Sequence, residues 1–271
     1  MPSQVRVDGL RVGYRERGDG PPLLLLHGGM SESLEWHRQL DVLSDRWRVV
    51  AWDAPGCGES DDPPRGWRLE DYARCVVGVC RELGLERPHV AGLSFGGGLA
   101  LAVHREAPAL TRSLVLLSAY AGWAGSLPPE EVAGRLAACL EASVEPVLPS
   151  REDGLAFTGP HPTEDVLDEL FAIAQRARTQ AVADMGTAFA EADLRPALPT
   201  VVAPTLVVVG LEDRRCPPAV GEAIAAAIPQ AQLLAVPGAG HVLHQEAPDA
   251  VNAAIRAFLT DVERAEAAGS L

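Results

Sequence analysis

The pentapeptide Gly92-Leu93-Ser94-Phe95-Gly96 constrains this chain more than any other stretch. Before it, Pro88-His89-Val90-Ala91 reads as the end of a buried strand. After it, Gly97-Gly98 leads into Leu99-Ala100-Leu101-Ala102-Val103-His104, which reads as a buried helix. A strand that becomes a helix this abruptly forces its central residue into a strained backbone conformation, and only small neighbours leave room for it. The Ser94 hydroxyl is then held clear of the sheet, beside a helix N-terminus whose free amides can stabilise an oxyanion. A glycine-rich turn whose serine merely caps the helix is the competing reading. Partners elsewhere in the chain decide between the two.

A serine nucleophile needs a base, and the base needs an orienting acid. Of the seven histidines (27, 37, 89, 104, 161, 241 and 244), His241 follows the strand-like Gln232–Val236 through Pro237-Gly238-Ala239-Gly240. That places it at the sheet edge the serine elbow occupies, where ligands meet parallel sheets. His244 is its nearest rival. His89 falls at the opposite edge and His104 on the helix after the serine. The acid comes from the β-branched run Thr205-Leu206-Val207-Val208-Val209-Gly210, which ends in Leu211-Glu212-Asp213. Asp213 is the candidate, with Glu212 as the neighbouring alternative. The run Ser113-Leu114-Val115-Leu116-Leu117-Ser118 offers no acid at its end. The chain order is therefore Ser94, Asp213, His241.

With these residues in that order, the chain resembles the α/β-hydrolase superfamily over nearly its whole length. His27-Gly28-Gly29, after Leu23-Leu24-Leu25-Leu26, is similar to the family's oxyanion loop. Asp53-Ala54-Pro55-Gly56-Cys57-Gly58-Glu59-Ser60 is similar to its D-x-P-G-x-G-x-S turn, and Gly210-Leu211-Glu212-Asp213 and Gly238-Ala239-Gly240-His241 to its acid and base turns. The resemblance implies an α/β fold: a mostly parallel eight-stranded sheet flanked by helices, with a helical cap inserted after strand six. It implies a catalytic Ser94, Asp213 and His241, an oxyanion hole from the backbone N–H groups of Gly29 and Phe95, and no metal or organic cofactor. His27 is then expected to be structural. Asp53 reads as a turn-stabilising carboxylate.

The stretch Ala192-Asp193-Leu194-Arg195-Pro196, followed by Pro204-Thr205-Leu206-Val207, is locally similar to 3-oxoadipate enol-lactonases and small esterases. The expected reaction is hydrolysis of a carboxylic ester or lactone of a small organic molecule through an acyl-enzyme. A cofactor-free haloperoxidase (perhydrolase) or a carbon–carbon bond hydrolase on the same triad is the alternative chemistry. Outside enzymes, the alternative is a small-molecule sensor using the same pocket. A nucleophilic serine argues against haloalkane dehalogenases and epoxide hydrolases, which carry aspartate there.

Composition narrows the partners. The 271 residues carry 23 arginines, no lysine and 37 acids, a net charge of −14, so nucleic acid is not an expected partner. The five cysteines are scattered, form no C-x-x-C pair, and read as reduced thiols. The N-terminus lacks a signal-peptide pattern and no apolar run reaches the length of a membrane span. The expectation is a cytoplasmic protein with a small-molecule substrate and no membrane partner, as a monomer or homodimer.

Residues 4–14 and the arginine-containing stretch after them read as an opening hairpin, and helical stretches follow each strand at 34–43, 69–83 and 97–106. Past Tyr120 the alternation stops. A helix starts at Pro128-Pro129-Glu130-Glu131, and another starts near Thr163-Glu164-Asp165 and runs on past Arg178. Residues 122–190 are read as the cap, with 1–121 and 191–271 as the core. Trp123, where the cap begins, is the expected substrate contact. Phe157, Phe171, Met185 and Phe189 are the other large apolar side chains there, and Arg135, Arg151, Arg176, Arg178 and Arg195 are candidates to hold a substrate carboxylate.

Overall fold

The structure, a computed structural model, describes residues 2–142 and 148–269. Its sheet has eight strands: β1 (Ser3–Val7), β2 (Leu10–Arg17), β3 (Pro22–Leu26), β4 (Arg48–Trp52), β5 (His89–Leu93), β6 (Ser113–Leu117), β7 (Thr205–Gly210) and β8 (Gln232–Val236). They lie in the order β1-β2-β4-β3-β5-β6-β7-β8. β1 and β2 form the opening antiparallel hairpin, β2 pairs antiparallel with β4, and every later pairing is parallel.

The central strands are apolar without interruption because both faces of the sheet are covered. Alternation then sorts side chains between two layers. Leu24, Leu26, Val50, Val90, Leu114, Leu116 and Val207 face one core, shared with α2 (Leu69–Glu82) and α3 (Phe95–Glu106). Leu23, Leu25, Val49, Ala91, Val115, Leu117 and Val208 face the other, under α1 (His37–Leu43) and the long final helix, whose buried stripe is Val251, Ile255, Phe258, Leu259 and Val262.

Between β6 and β7 the chain turns helical: α4 (Pro129–Glu141), α5 (Glu164–Arg176) and α6 (Thr179–Ala190). The expected cap falls on this segment, and its residues 143–147 lie outside those described. One expectation fails here. The helix from Glu164 stops at Arg176 instead of running past Arg178, because Ala177 and Arg178 are extended. No glycine or proline breaks it. Arg178 instead donates from Nε to the Gly56 carbonyl at 2.7 Å and from Nη2 to the Ser60 carbonyl at 2.6 Å. The chain bends to make that tertiary attachment.

After β7 come α7 (Pro218–Ala227), then, past β8, the short α8 (Leu243–Glu246) and the final helix α9 (Pro248–Ala267). Among the described residues no helix is long and apolar enough to cross a membrane.

Candidate active site

Loops leaving β3, β5, β6, β7 and β8 meet at the carboxyl edge of the sheet, where an open parallel sheet leaves a crevice. Ser94 stands between β5 and α3 with φ 52° and ψ −111°, a backbone conformation few side chains tolerate. Both flanking glycines are sterically required. A Cβ on Gly92 would overlap the Gly96 carbonyl, and one on Gly96 would overlap the carbonyl oxygens of Leu26 and His27. The elbow is pinned further by the Ser94 N–H, which donates to the Leu117 carbonyl at 2.9 Å.

Asp213 and His241 meet: Nδ1 of His241 lies 2.9 Å from Oδ2 of Asp213, both side chains buried. The other oxygen of Asp213 accepts the backbone N–H groups of Arg215 (2.9 Å) and Cys216 (2.7 Å). Burial alone would raise the carboxyl pKa. The His241 ring and the Cys216 amide outweigh it and hold Asp213 below the usual carboxylate range. Its rival Glu212 is exposed, its backbone N–H donating to Ala239. His244 is fully buried with its ring 4.5 Å from that of Trp36, and burial pushes its pKa down to about 3. His241 lines the same pocket as Ser94, so its Nε2 edge is the one left to serve the serine.

Gly29 and Phe95 line that pocket too. Phe95 is the first residue of α3, so its N–H has no intrahelical acceptor. Among the described residues neither amide donates to a protein acceptor, and the space beside the Gly29 α-carbon is open. Beneath this loop His27 is a structural strut. Its Nδ1 lies 2.7 Å from the Gly28 carbonyl, and its Nε2 accepts the Ala54 N–H at 2.9 Å. Asp53 closes its own turn by accepting from Glu59 N (3.0 Å) and ties that turn to Ser33 by accepting its N–H (2.7 Å).

The sequence reading passed over the carboxylate at this site. Glu35 is buried, lines the pocket and accepts the Gly28 N–H at 3.0 Å, and burial pushes its carboxyl up to about 7. Its only local signal is an acid in the first turn after the oxyanion loop. Phe157 accepts the His241 N–H on its carbonyl at 2.9 Å, while its ring lies 6.3 Å from the His241 ring.

The pocket holds about 840 Å³ counting its open mouth. Trp123, Phe157, Met185 and Phe189 form its apolar wall; Phe171 does not reach it. Trp123 is buried, its ring 5.6 Å from Phe189. The five arginines offered as carboxylate holders are all engaged with protein acids: Arg135 with Glu131, Arg151 with Glu164 and Asp168, Arg176 with Glu32, Arg178 with Asp62, Arg195 with Asp193.

Residues 23–254 match the alpha/beta hydrolase family. The chain belongs to that family. A thermophilic esterase from Thermogutta terrifontis superposes with a TM-score of 0.88 at 29% identity, covering 97% of this chain and 99% of that one. An enol-lactonase from Burkholderia xenovorans LB400 gives a TM-score of 0.84 at 25% identity over 95% of this hydrolase and all of that chain. In sequence, it is 30% identical over 262 residues to the dihydrolipoyllysine-residue acetyltransferase component of an acetoin cleaving system from Pseudomonas putida. That match covers 95% of this hydrolase and 69% of its relative.

Proposed function

We propose that this hydrolase cleaves a carboxylic ester or lactone of a small molecule by acyl transfer through Ser94. The observation that carries the reading is the buried Asp213–His241 hydrogen bond, at 2.9 Å, opening onto the pocket that Ser94 lines. His241 takes the serine proton as Oγ attacks the carbonyl carbon, and Asp213 fixes the imidazole tautomer and stabilises the imidazolium. The N–H groups of Gly29 and Phe95 receive the developing oxyanion. His241 then gives its proton to the leaving alkoxide, and afterwards accepts one from the water that releases the acid. The segment 122–190 serves as the cap, forming the substrate wall of the pocket through Trp123, Phe157, Met185 and Phe189.

The five cysteines are unpaired and four of them are buried, which supports a reducing, cytoplasmic setting. We take the working form as a monomer or homodimer acting on a small-molecule substrate. A fluorophosphonate probe with adduct mapping by mass spectrometry, alongside a panel of p-nitrophenyl esters and lactones, tests the reading. Modification at Ser94 with ester or lactone turnover is expected. An active preparation labelled at another residue overturns the assignment.

A further inference from the structure

Among the described residues, Arg215 is the cation lining this pocket that forms no ion pair with a carboxylate. Its guanidinium carbon lies 4.8 Å from the centroid of the Phe157 ring, and the side chain lines the pocket with Ser94 and His241. Among the described residues no carboxylate forms an ion pair with it and no acceptor takes a hydrogen bond from its guanidinium. Each of the five arginines considered from the sequence has such a partner.

The base of the side chain is anchored on both sides. The Arg215 N–H donates to Asp213 Oδ1 at 2.9 Å, while its carbonyl accepts from Arg135 Nη2 at 2.6 Å and from the Tyr120 hydroxyl. Phe157 then supplies a flat platform for the guanidinium. Burial pushes the pKa of Arg215 down, outweighing the attraction of nearby Asp213, whose carboxylate is taken up by His241 and by backbone N–H groups. A ligand anion completes the arrangement. The two parallel N–H donors of a guanidinium match a carboxylate or a phosphate, but its single positive charge neutralises one carboxylate, whereas a doubly charged phosphate would leave a net charge buried beside Asp213. Phe157 also ties this cation to the base, since its ring lies 6.3 Å from that of His241.

We propose that Arg215 holds a free carboxylate carried by the substrate, so that the preferred substrates are esters or lactones of molecules bearing a second, ionised acid group. This rests on the ester-hydrolase reading above. In a protein of net charge −14, such a selective cation also gives an anionic substrate a local reason to enter.

Two measurements separate this proposal from the reading beneath it. In the first, the Ser94→Ala protein, whose turnover is expected to fall about 10³-fold or more, is titrated calorimetrically with the monomethyl esters of succinate, glutarate and adipate and with their dimethyl esters. At least one half-ester is expected to bind tighter than its diester. Adding Arg215→Met, which keeps the backbone N–H to Asp213, should reduce that preference by about tenfold or more. Arg215→Lys should restore part of it. Inorganic phosphate is not expected to compete. No half-ester preference, a preference that survives Arg215→Met, or displacement by phosphate each overturns the carboxylate assignment.

In the second, wild-type initial rates are measured on the same esters and on the panel of p-nitrophenyl esters and lactones. Turnover without acid preference overturns the Arg215 proposal and leaves the hydrolase reading standing. Half-ester binding with no turnover of any ester or lactone overturns the hydrolase reading and leaves Arg215 as the anion site.

Discussion

The carbonyl oxygen of Phe157 accepts the backbone N–H of His241 at 2.9 Å. A residue from the segment between β6 and β7 thus holds the loop that carries His241. Glu246 reinforces the joint, accepting from Gly159 N at 2.6 Å and Gly240 N at 2.9 Å. The wall of the pocket and the position of the imidazole are therefore set together.

Asp213→Asn should lower kcat by on the order of 10⁴-fold with the fold retained, since asparagine still accepts the Arg215 and Cys216 amides but favours the wrong imidazole tautomer. Glu212→Gln, at an exposed site, should leave kcat close to wild type. Steady-state kinetics with circular dichroism checks both. A greater loss from Glu212→Gln would move the acid by one residue.

Ser94 should trade activity against stability. Ser94→Ala is expected to cost about 10³-fold or more in kcat. Ser94→Gly should be equally inactive yet more stable than Ser94→Ala by about 1 kcal/mol, because glycine adopts φ 52° without strain. Chemical denaturation of the two variants reads this difference. Equal midpoints would show that the elbow stores no strain.

Glu35 should make stability pH-dependent. Its carboxyl, pushed up to about 7 by burial, keeps its proton in the folded protein where the unfolded chain has lost it. That contribution is complete below the ordinary value of 4.5 and is lost as pH rises through 7. Glu35→Gln keeps an acceptor for the Gly28 N–H. It should gain on wild type between about pH 5 and about pH 8.5, by on the order of 3 kcal/mol at the upper end. Urea unfolding at both pH values tests this, and a pH-independent difference argues against it.

Trp123→Ala should reorder kcat/KM among substrates of different size by about 10- to 100-fold, as removal of a large apolar wall group does. Labelling of Ser94 by a fluorophosphonate should persist. A uniform drop with the ranking unchanged would mean that Trp123 serves packing against Phe189 alone.

The placement of Ser94, Asp213 and His241 at one edge of the sheet was legible in the chain because each sits in a short turn at the end of an apolar strand, where local pattern and tertiary position coincide. Gly29 and Phe95 came to the same pocket through the turns beside them. Arg215 was passed over for the opposite reason. Nothing local distinguishes it from Arg135, and the two differ only because Arg135 meets Glu131 one helical turn away while Arg215 faces Phe157, far off in sequence. The break at Ala177 was equally hidden, since the carbonyls that Arg178 reaches belong to the turn after β4.

The packing of Gly96 against the main chain of Leu26 and His27 sets which parts of this protein can be redesigned gradually. Backbone oxygens cannot swing aside as a side chain can, so no stepwise series of substitutions leads away from glycine there without displacing β3 and α3 together. Trp123, Met185 and Phe189 meet other side chains, and each can be exchanged for one of different size or shape with local repacking. The shape of the wall can change by single replacements, whereas the backbone geometry of the elbow is inherited whole.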